Sequence, residues 1–228
     1  MAIIRGPKII KSGLVLALDA ADRNSYIGSG TIWRDMSGNN NNATLISGPA
    51  FSSEKGGCIV FDGTNDYAQV ENTSLLSEFS QTISLWYKYS AIKNSAPLVT
   101  KTDTGSLYNE GYIAGQDNNT MFVTLRLSGV SYSISYNGGQ IGVWYNLVFT
   151  FASSVALRGY INGVLFQSTN LPLISTLTTQ PLRIGNSVSF AFPDYFNGAV
   201  SNLLIYNRQL SNTEILQNYN ATRKRFGL

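Results

Sequence analysis

Histidine is absent from this 228-residue chain and cysteine occurs once, at Cys58. That removes Ser-His-Asp and Cys-His catalysis, His-ligated zinc, any internal disulfide and the commonest general base. The side chains left to do chemistry are carboxylates, amides and phenols. Five glutamates, Glu54, Glu71, Glu78, Glu110 and Glu214, stand apart, none with another acid two residues away. Asp62, Asn65 and Asp66 lie close together. Hard cations want clustered oxygen ligands, but the spacing is not that of an EF-hand. Asp and Asn side chains more simply bond their own backbone in a hairpin turn. The turn is the expected reading, a structural Ca2+ is its alternative, and no other cofactor is implied.

A sugar presents both C–H and O–H surface, so its sites pair flat aromatic faces with Asn and Asp hydrogen bonds. Tyr108, Tyr112, Asn118, Tyr132, Tyr136, Phe192 and Tyr195 have such side chains on middle strands or glycine-rich loops. They are the candidate glycan contacts. Any one aromatic among them, taken singly, is better explained as filling or covering a sheet, because β-propensity favours Tyr and Phe. Trp33, Trp86 and Trp144 read as core or edge packing.

Charge is placed at the ends. All 13 acidic residues lie between Asp19 and Glu214, whereas Arg5, Lys8 and Lys11 precede them and Arg223, Lys224 and Arg225 follow. The ends carry six positive charges and the body is net negative by three. Ile3-Ile4 and Ile9-Ile10 alternate with the N-terminal cations, as in an extended arm laid on a partner surface, and Pro7 keeps that arm from becoming a helix. Arg5, Lys8, Ile9, Lys11, Arg223, Lys224 and Arg225 are therefore the expected assembly anchors. The density and interleaved aromatics of a nucleic-acid channel are missing, so no nucleic-acid partner is expected. MAIIRGPKIIKSG does not read as a signal peptide, and no apolar run approaches the ~20 residues of a membrane span. The expectation is assembly in a cytoplasm, no membrane partner, and four sequons, beginning at Asn42, Asn72, Asn118 and Asn220, left unglycosylated.

The elements that must position these residues are strands. Charged residues are only 13% of the chain, while Gly, Ser, Asn, Thr and Tyr abound, which suits short strands and many turns. Thr82–Tyr89 alternates, with Ile83, Leu85, Tyr87 and Tyr89 on one face. Asn162-Gly163 is the strongest hairpin signal, since both residues tolerate positive φ. Ser211 and Glu214 have capping-box spacing ahead of Ile215, Leu216 and Tyr219, predicting one late helix. About fourteen strands with one helix predict an all-β sandwich of two antiparallel sheets. No repeat or linker divides it. Residues 1–12 read as an arm and residues 13–228 as one domain with a basic tail.

Several stretches then resemble a known family. Gly13–Ala21 (GLVLALDAA), Trp33–Asn39 (WRDMSGN), Phe61–Tyr67 (FDGTNDY), Trp144–Val148 with Tyr160–Gly163, and Ile205–Arg208 with Leu210–Ile215 are similar to LamG-like domains of the laminin-G/pentraxin type. The resemblance spans about residues 13–228 and implies a concanavalin A-like jelly roll. It also implies that the first and last strands are neighbours. In WRDMSGNNNNATL the family often has glycine where Asn40 and Ala43 stand. Asparagine tolerates left-handed backbone, so Asn40 suits a turn, and Ala43 is the less comfortable departure. Trp33 is expected to pack beneath this loop and Asp35 to cap its amides.

The closing run Asn218–Ala221 through Arg225–Gly227 most resembles versions found in structural proteins of tailed phages, especially marine ones. The resemblance thus implies a non-catalytic virion protein on the particle surface, a head decoration or fibre-like protein with weak glycan adhesion. Other capsid or appendage proteins are the implied partners, together with surface glycans and further copies of the chain. The alternative is a tail adhesin recognising host carbohydrate. Laminarinase-type relatives place their carboxylates on alternate residues of one strand, a pattern the five glutamates lack, so a glycosidase is the remote reading and no enzyme is expected.

Overall fold

The computed structural model describes residues 7–104, 109–189 and 195–228. Arg5, Tyr108 and Phe192 lie outside these described residues. The first half contains β1 (Leu14–Asp19), β2 (Ile32–Trp33), β3 (Ala43–Ile46), β4 (Ala50–Ser52), β5 (Cys58–Asp62), β6 (Tyr67–Val70), β7 (Ser80–Tyr89) and β8 (Ala96–Thr102). The second contains β9 (Gly111–Asp117), β10 (Thr120–Leu127), β11 (Val130–Asn137), β12 (Trp144–Ala152), β13 (Ala156–Ile161), β14 (Val164–Asn170), β15 (Leu182–Ile184) and β16 (Asn197–Tyr206), then helix α1 (Asn212–Phe226).

The strands make two eight-stranded sheets with antiparallel pairing. One runs β14-β13-β12-β7-β16-β5-β4, with β1 also on β16, and the other runs β11-β10-β9-β8-β15-β6-β3-β2. An irregularity between Val200 and Asn202 lets β16 take β5 along Asn197–Val200 and β1 along Asn202–Tyr206, opposite the edge held by β7. The first and last strands are neighbours, as expected. Asn162 (φ 52°) and Gly163 (φ 79°) form the predicted two-residue turn between β13 and β14.

The period-2 pattern of β7 decides what lies between the sheets. Ile83, Leu85, Tyr87 and Tyr89 enter the main core with Phe149, Phe151, Phe196 and Ile205. On the other face, Trp86 is covered by α1: it stacks on Phe226 with ring centroids 3.9 Å apart and on Tyr219 at 5.8 Å. Its Nε1 donates to Thr222 Oγ1 at 2.9 Å. The helix starts at the predicted capping box, with Ser211 Oγ accepting from Glu214 N and Glu214 Oε2 accepting from Ser211 N. It ends at Gly227 in the left-handed conformation. The short β2, β3 and β4 were not legible, because two to four residues are too few to show an alternation.

The turn after β2 follows the expectation in detail. Trp33 is fully buried beneath it and Asn40 adopts φ 59°. Asp35 Oδ1 accepts from Ala17 N at 2.9 Å and Ser37 N at 2.8 Å. Its Oδ2 accepts from Asn41 N at 3.0 Å and Ser37 Oγ at 2.7 Å. Asn41 Nδ2 donates to Val15 O and Asn42 Oδ1 accepts from Asp35 N. Ala43 starts β3 opposite Trp33 with its methyl group buried, so alanine is accommodated there without left-handed backbone.

Two expectations about the ends are corrected. Residues 8–12 are not a free arm, because Lys8 O accepts from Gln217 Nε2 and Ile10 N donates to Asn218 Oδ1, both at 2.8 Å. Ile9 and Ile10 pack against Leu14, Leu204, Tyr206 and Ile215, so Ile9 is used within the domain. Packing and hydrogen bonding therefore cross the expected boundary at Ser12. Arg225 is also committed internally. It pairs with Asp19 at 2.8 Å and donates to the carbonyls of Lys55 and Gly57. The physical reason is the same for both: backbone groups of Lys8, Ile10, Lys55 and Gly57 lie outside any strand ladder beside α1, and its Gln217, Asn218 and Arg225 side chains satisfy them.

Nothing in the sequence warned that Lys101 would be buried. It faces inward beside Tyr112, 2% exposed, with Nζ donating to Thr178 O at 2.7 Å and Gln180 O at 2.8 Å. Burial pushes its ammonium down to about 8. Below that value both folded and unfolded chains carry the proton and the full cost is felt. Between about 8 and the ordinary lysine value near 10.4 the unfolded chain binds more protons, so stability rises with pH. We expect a gain approaching about 3 kcal/mol across that window. Urea unfolding at stepped pH should show it in the native chain and not in Lys101→Met. Parallel curves would reject the assignment.

Candidate functional site

At one end of the sandwich five loops join into a continuous polar rim. The hairpin after β5 is held to the start of β16 by Asn197 Nδ2, which donates to Asp62 O at 2.8 Å. Gly63 has φ 76°, and a Cβ there would sit 2.6 Å from Asn197 Cβ, so close approach demands glycine. Lys93, in the β7–β8 loop, donates from Nζ to Gly63 O and accepts at its own carbonyl from Asn118 N. Asn119 O in turn accepts from Gly139 N at 3.0 Å, which ties in the loop after β11. Along this line Asp62, Asn65, Asp117, Asn118 and Asn137 are exposed, as are the apolar Ile92 and Ile141.

The Asp62–Asp66 stretch is a turn in its own hydrogen bonding. Asp62 Oδ1 accepts from Thr64 N at 2.7 Å, and the amide of Thr64 holds that carboxyl below its usual value. Asp66 Oδ2 accepts from Asp62 N, and burial raises its carboxyl. Among the described residues no group of three or more acidic or cysteine side chains is placed to hold a metal ion. The exposed groups of the rim are carboxylate and amide oxygens, which accept, and amide nitrogens, which donate. Beside short apolar side chains, such a mixture suits a ligand presenting hydroxyls and C–H surface together.

The structure separates the sequence candidates. Asn118 lies in the rim, at the β9–β10 turn with φ 53°. Tyr195 is half-buried, two residues before Asn197. Tyr112 is corrected: it is 2% exposed and stacks edge-on to Phe149 in the core, where no sugar can touch it. Tyr132 and Tyr136 oppose Leu125 and Met121, so both point between the sheets at the open edge of β11. Tyr136 leans on Phe166 of β14, with centroids 5.6 Å apart. Strand parity decides this, and parity is fixed only by which neighbour is in the core. Lys93, Asp117 and Asn137 were missed, because only folding brings their turns side by side. The sequence signals were Asn118-Asn119 after Asp117 and Gly138 after Asn137, while Lys93 had none.

Four of the glutamates serve structural partners. Glu54 binds Lys88 and Trp144 Nε1, Glu71 accepts from Gln69 Nε2, and Glu110 accepts from Thr176 Oγ1. Glu214 is held at about 2 by the Arg208 guanidinium. Each of these four carboxylates is thus occupied by a partner within the domain. Of the expected anchors, Lys8, Lys11 and Lys224 are exposed, while Arg223 is half-buried over the ring of Tyr219.

The family model of the concanavalin A-like lectin/glucanases superfamily matches residues 62–216. No curated protein matches the chain. Among solved structures, the receptor binding domain of botulinum neurotoxin C/D mosaic serotype superposes with a TM-score of 0.75 at 17% identity, over 92% of this chain and 51% of that one. The receptor binding domain of botulinum neurotoxin D gives 0.73 at 17% identity, over 92% and 52%. The binding domain of Paraclostridial Mosquitocidal Protein 1 gives 0.70 at 19% identity, over 92% and 52%. The chain thus spans about half the length of these solved chains, and at such identities the likeness is one of fold.

Proposed function

The chain belongs to the concanavalin A-like lectin/glucanases superfamily, and from that premise we propose a non-catalytic binding module on the surface of a tailed-phage particle, holding a surface glycan at its polar rim. The observation that carries the glycan reading is the rim itself, where exposed Asp62, Asp117, Asn118 and Asn137 stand beside Ile92 and Ile141 on loops bonded to one another. Groups positioned by a rigid sandwich lose little freedom on binding. Structural neighbours named as receptor binding domains support a binding role. The virion setting rests on the resemblance of residues 218–227 to tailed-phage structural proteins.

A glycan array probed with the purified chain tests this. Binding is expected, and Asp117→Ala with Asn137→Ala should weaken it about tenfold or more, the effect of losing one or two polar contacts. Silence across the array, or binding untouched by the double variant, would reject the rim. Exposed Lys8, Lys11 and Lys224 have no ion pair among the described residues, which favours a second reading as a decoration docked on an acidic capsid surface. Replacing all three with glutamine should then reduce particle incorporation. Electron microscopy of labelled particles would separate head from tail.

A further inference from the structure

A cavity of about 140 Å3 lies on the outer face of the helix-bearing sheet, between residues 9–11, the Met36 turn and α1. It is separate from the rim. Asn202 forms part of its wall, is 4% exposed, and accepts at Oδ1 from Trp86 N at 3.3 Å. Its Nδ2 donates to no acceptor among the described residues and is not fully enclosed, so it can meet a ligand entering the cavity. Two opposite charges also line the cavity. Asp22 Oδ1 accepts from Asn24, leaving Oδ2 without a partner among the described residues, and Lys11 has no ion pair there. Asp19, nearby, is already neutralised by Arg225. The remaining wall comes from Ile9, Ala17, Met36 and Leu204 with Thr222, whose hydroxyl is already bonded to Trp86 and Asn218.

A ligand complementary to this set carries one carboxylate, one ammonium and a short aliphatic group. A cavity of about 150 Å3 accepts a ligand the size of benzene, so this one suits roughly six to eight heavy atoms. We propose that the cavity binds a small aliphatic α-amino acid, its carboxylate received by Asn202 Nδ2 and Lys11 and its ammonium by Asp22. The side chain lies against Ile9, Met36 and Leu204. Neutralising both charges of the ligand inside one partly enclosed site gives selectivity over molecules that carry only one of them.

The test is a titration of the full chain with L-valine, followed by the side-chain amide resonance of Asn202 and the methyl resonance of Met36. Saturable shifts of both are expected, with Kd near the millimolar range, about what a few polar contacts support. Valinamide lacks the carboxylate and 2-hydroxyisovalerate lacks the ammonium, and each should bind about tenfold more weakly or worse. Asp22→Asn and Asn202→Asp should each do the same, the latter keeping Oδ1 for Trp86. Absence of shifts at saturating valine, or equal binding of all three molecules, overturns the proposal. The ligand series uses the native chain, so it decides even where a variant fails to fold.

Discussion

Replacing Phe226 with alanine is expected to destabilise the protein by about 3–5 kcal/mol, the range for emptying a buried aromatic site. The ring is 5% exposed, stacks on Trp86 at 3.9 Å and meets Trp144 at 5.1 Å. It belongs to a small cluster with Cys58 and Ala199, outside the main core. Truncation would leave a void between the helix and the sheet, and the rigid strands carrying both tryptophans cannot close it. Urea unfolding followed by tryptophan fluorescence measures the effect and should show a lower midpoint at unchanged slope. A loss under about 1 kcal/mol would mean that α1 is not docked as described. Against the roughly 5–15 kcal/mol that stabilises a typical domain, such a loss is a fifth or more of the total.

Asp35→Ala is the second large expected effect, about 3–5 kcal/mol, because it orphans donors rather than emptying space. One carboxylate accepts from Ala17 N, Ser37 N, Ser37 Oγ and Asn41 N, which join β1 to the turn after β2. An unsatisfied, partly buried amide costs about 1–3 kcal/mol, and water reaches only some of these. Asp35→Asn should lie between alanine and the native residue. It keeps one acceptor oxygen for Ala17 and Ser37 but turns an amino group toward Asn41. Thermal unfolding of the three chains orders them, and an asparagine variant as unstable as alanine would show that charge, not geometry, holds the turn. Because Trp33 lies beneath this loop, its fluorescence reports the same event locally.

Legibility followed the range of the interactions. Ser211 with Glu214, Asn162-Gly163, and Asp35 with the asparagine run are local devices whose partners lie mostly within a few residues, and each formed as its spacing implied. The inward set of β7 was readable for the same reason, since alternation is intrinsic to a strand. Tyr112, Tyr132 and Tyr136 show where that stops. Alternation sorts residues into two sets without saying which set meets the core, and here all three fell on the inner side.

The ends were misjudged for a related reason. Basic residues beside an apolar pair look like an arm for a partner, and Arg225 looks like one of three tail cations. Lys8, Ile10 and Arg225 find partners 209, 208 and 206 residues away, on α1 and β1, which no local pattern encodes. Composition and motifs by themselves determined the class of fold, the capped helix, the turn chemistry and the absence of histidine-based catalysis. The tertiary structure alone decided which tyrosines are buried, which cations are already paired and which five loops make one rim. Local backbone preferences act within a turn or a strand, whereas burial and loop adjacency are set by pairing between strands far apart in the chain.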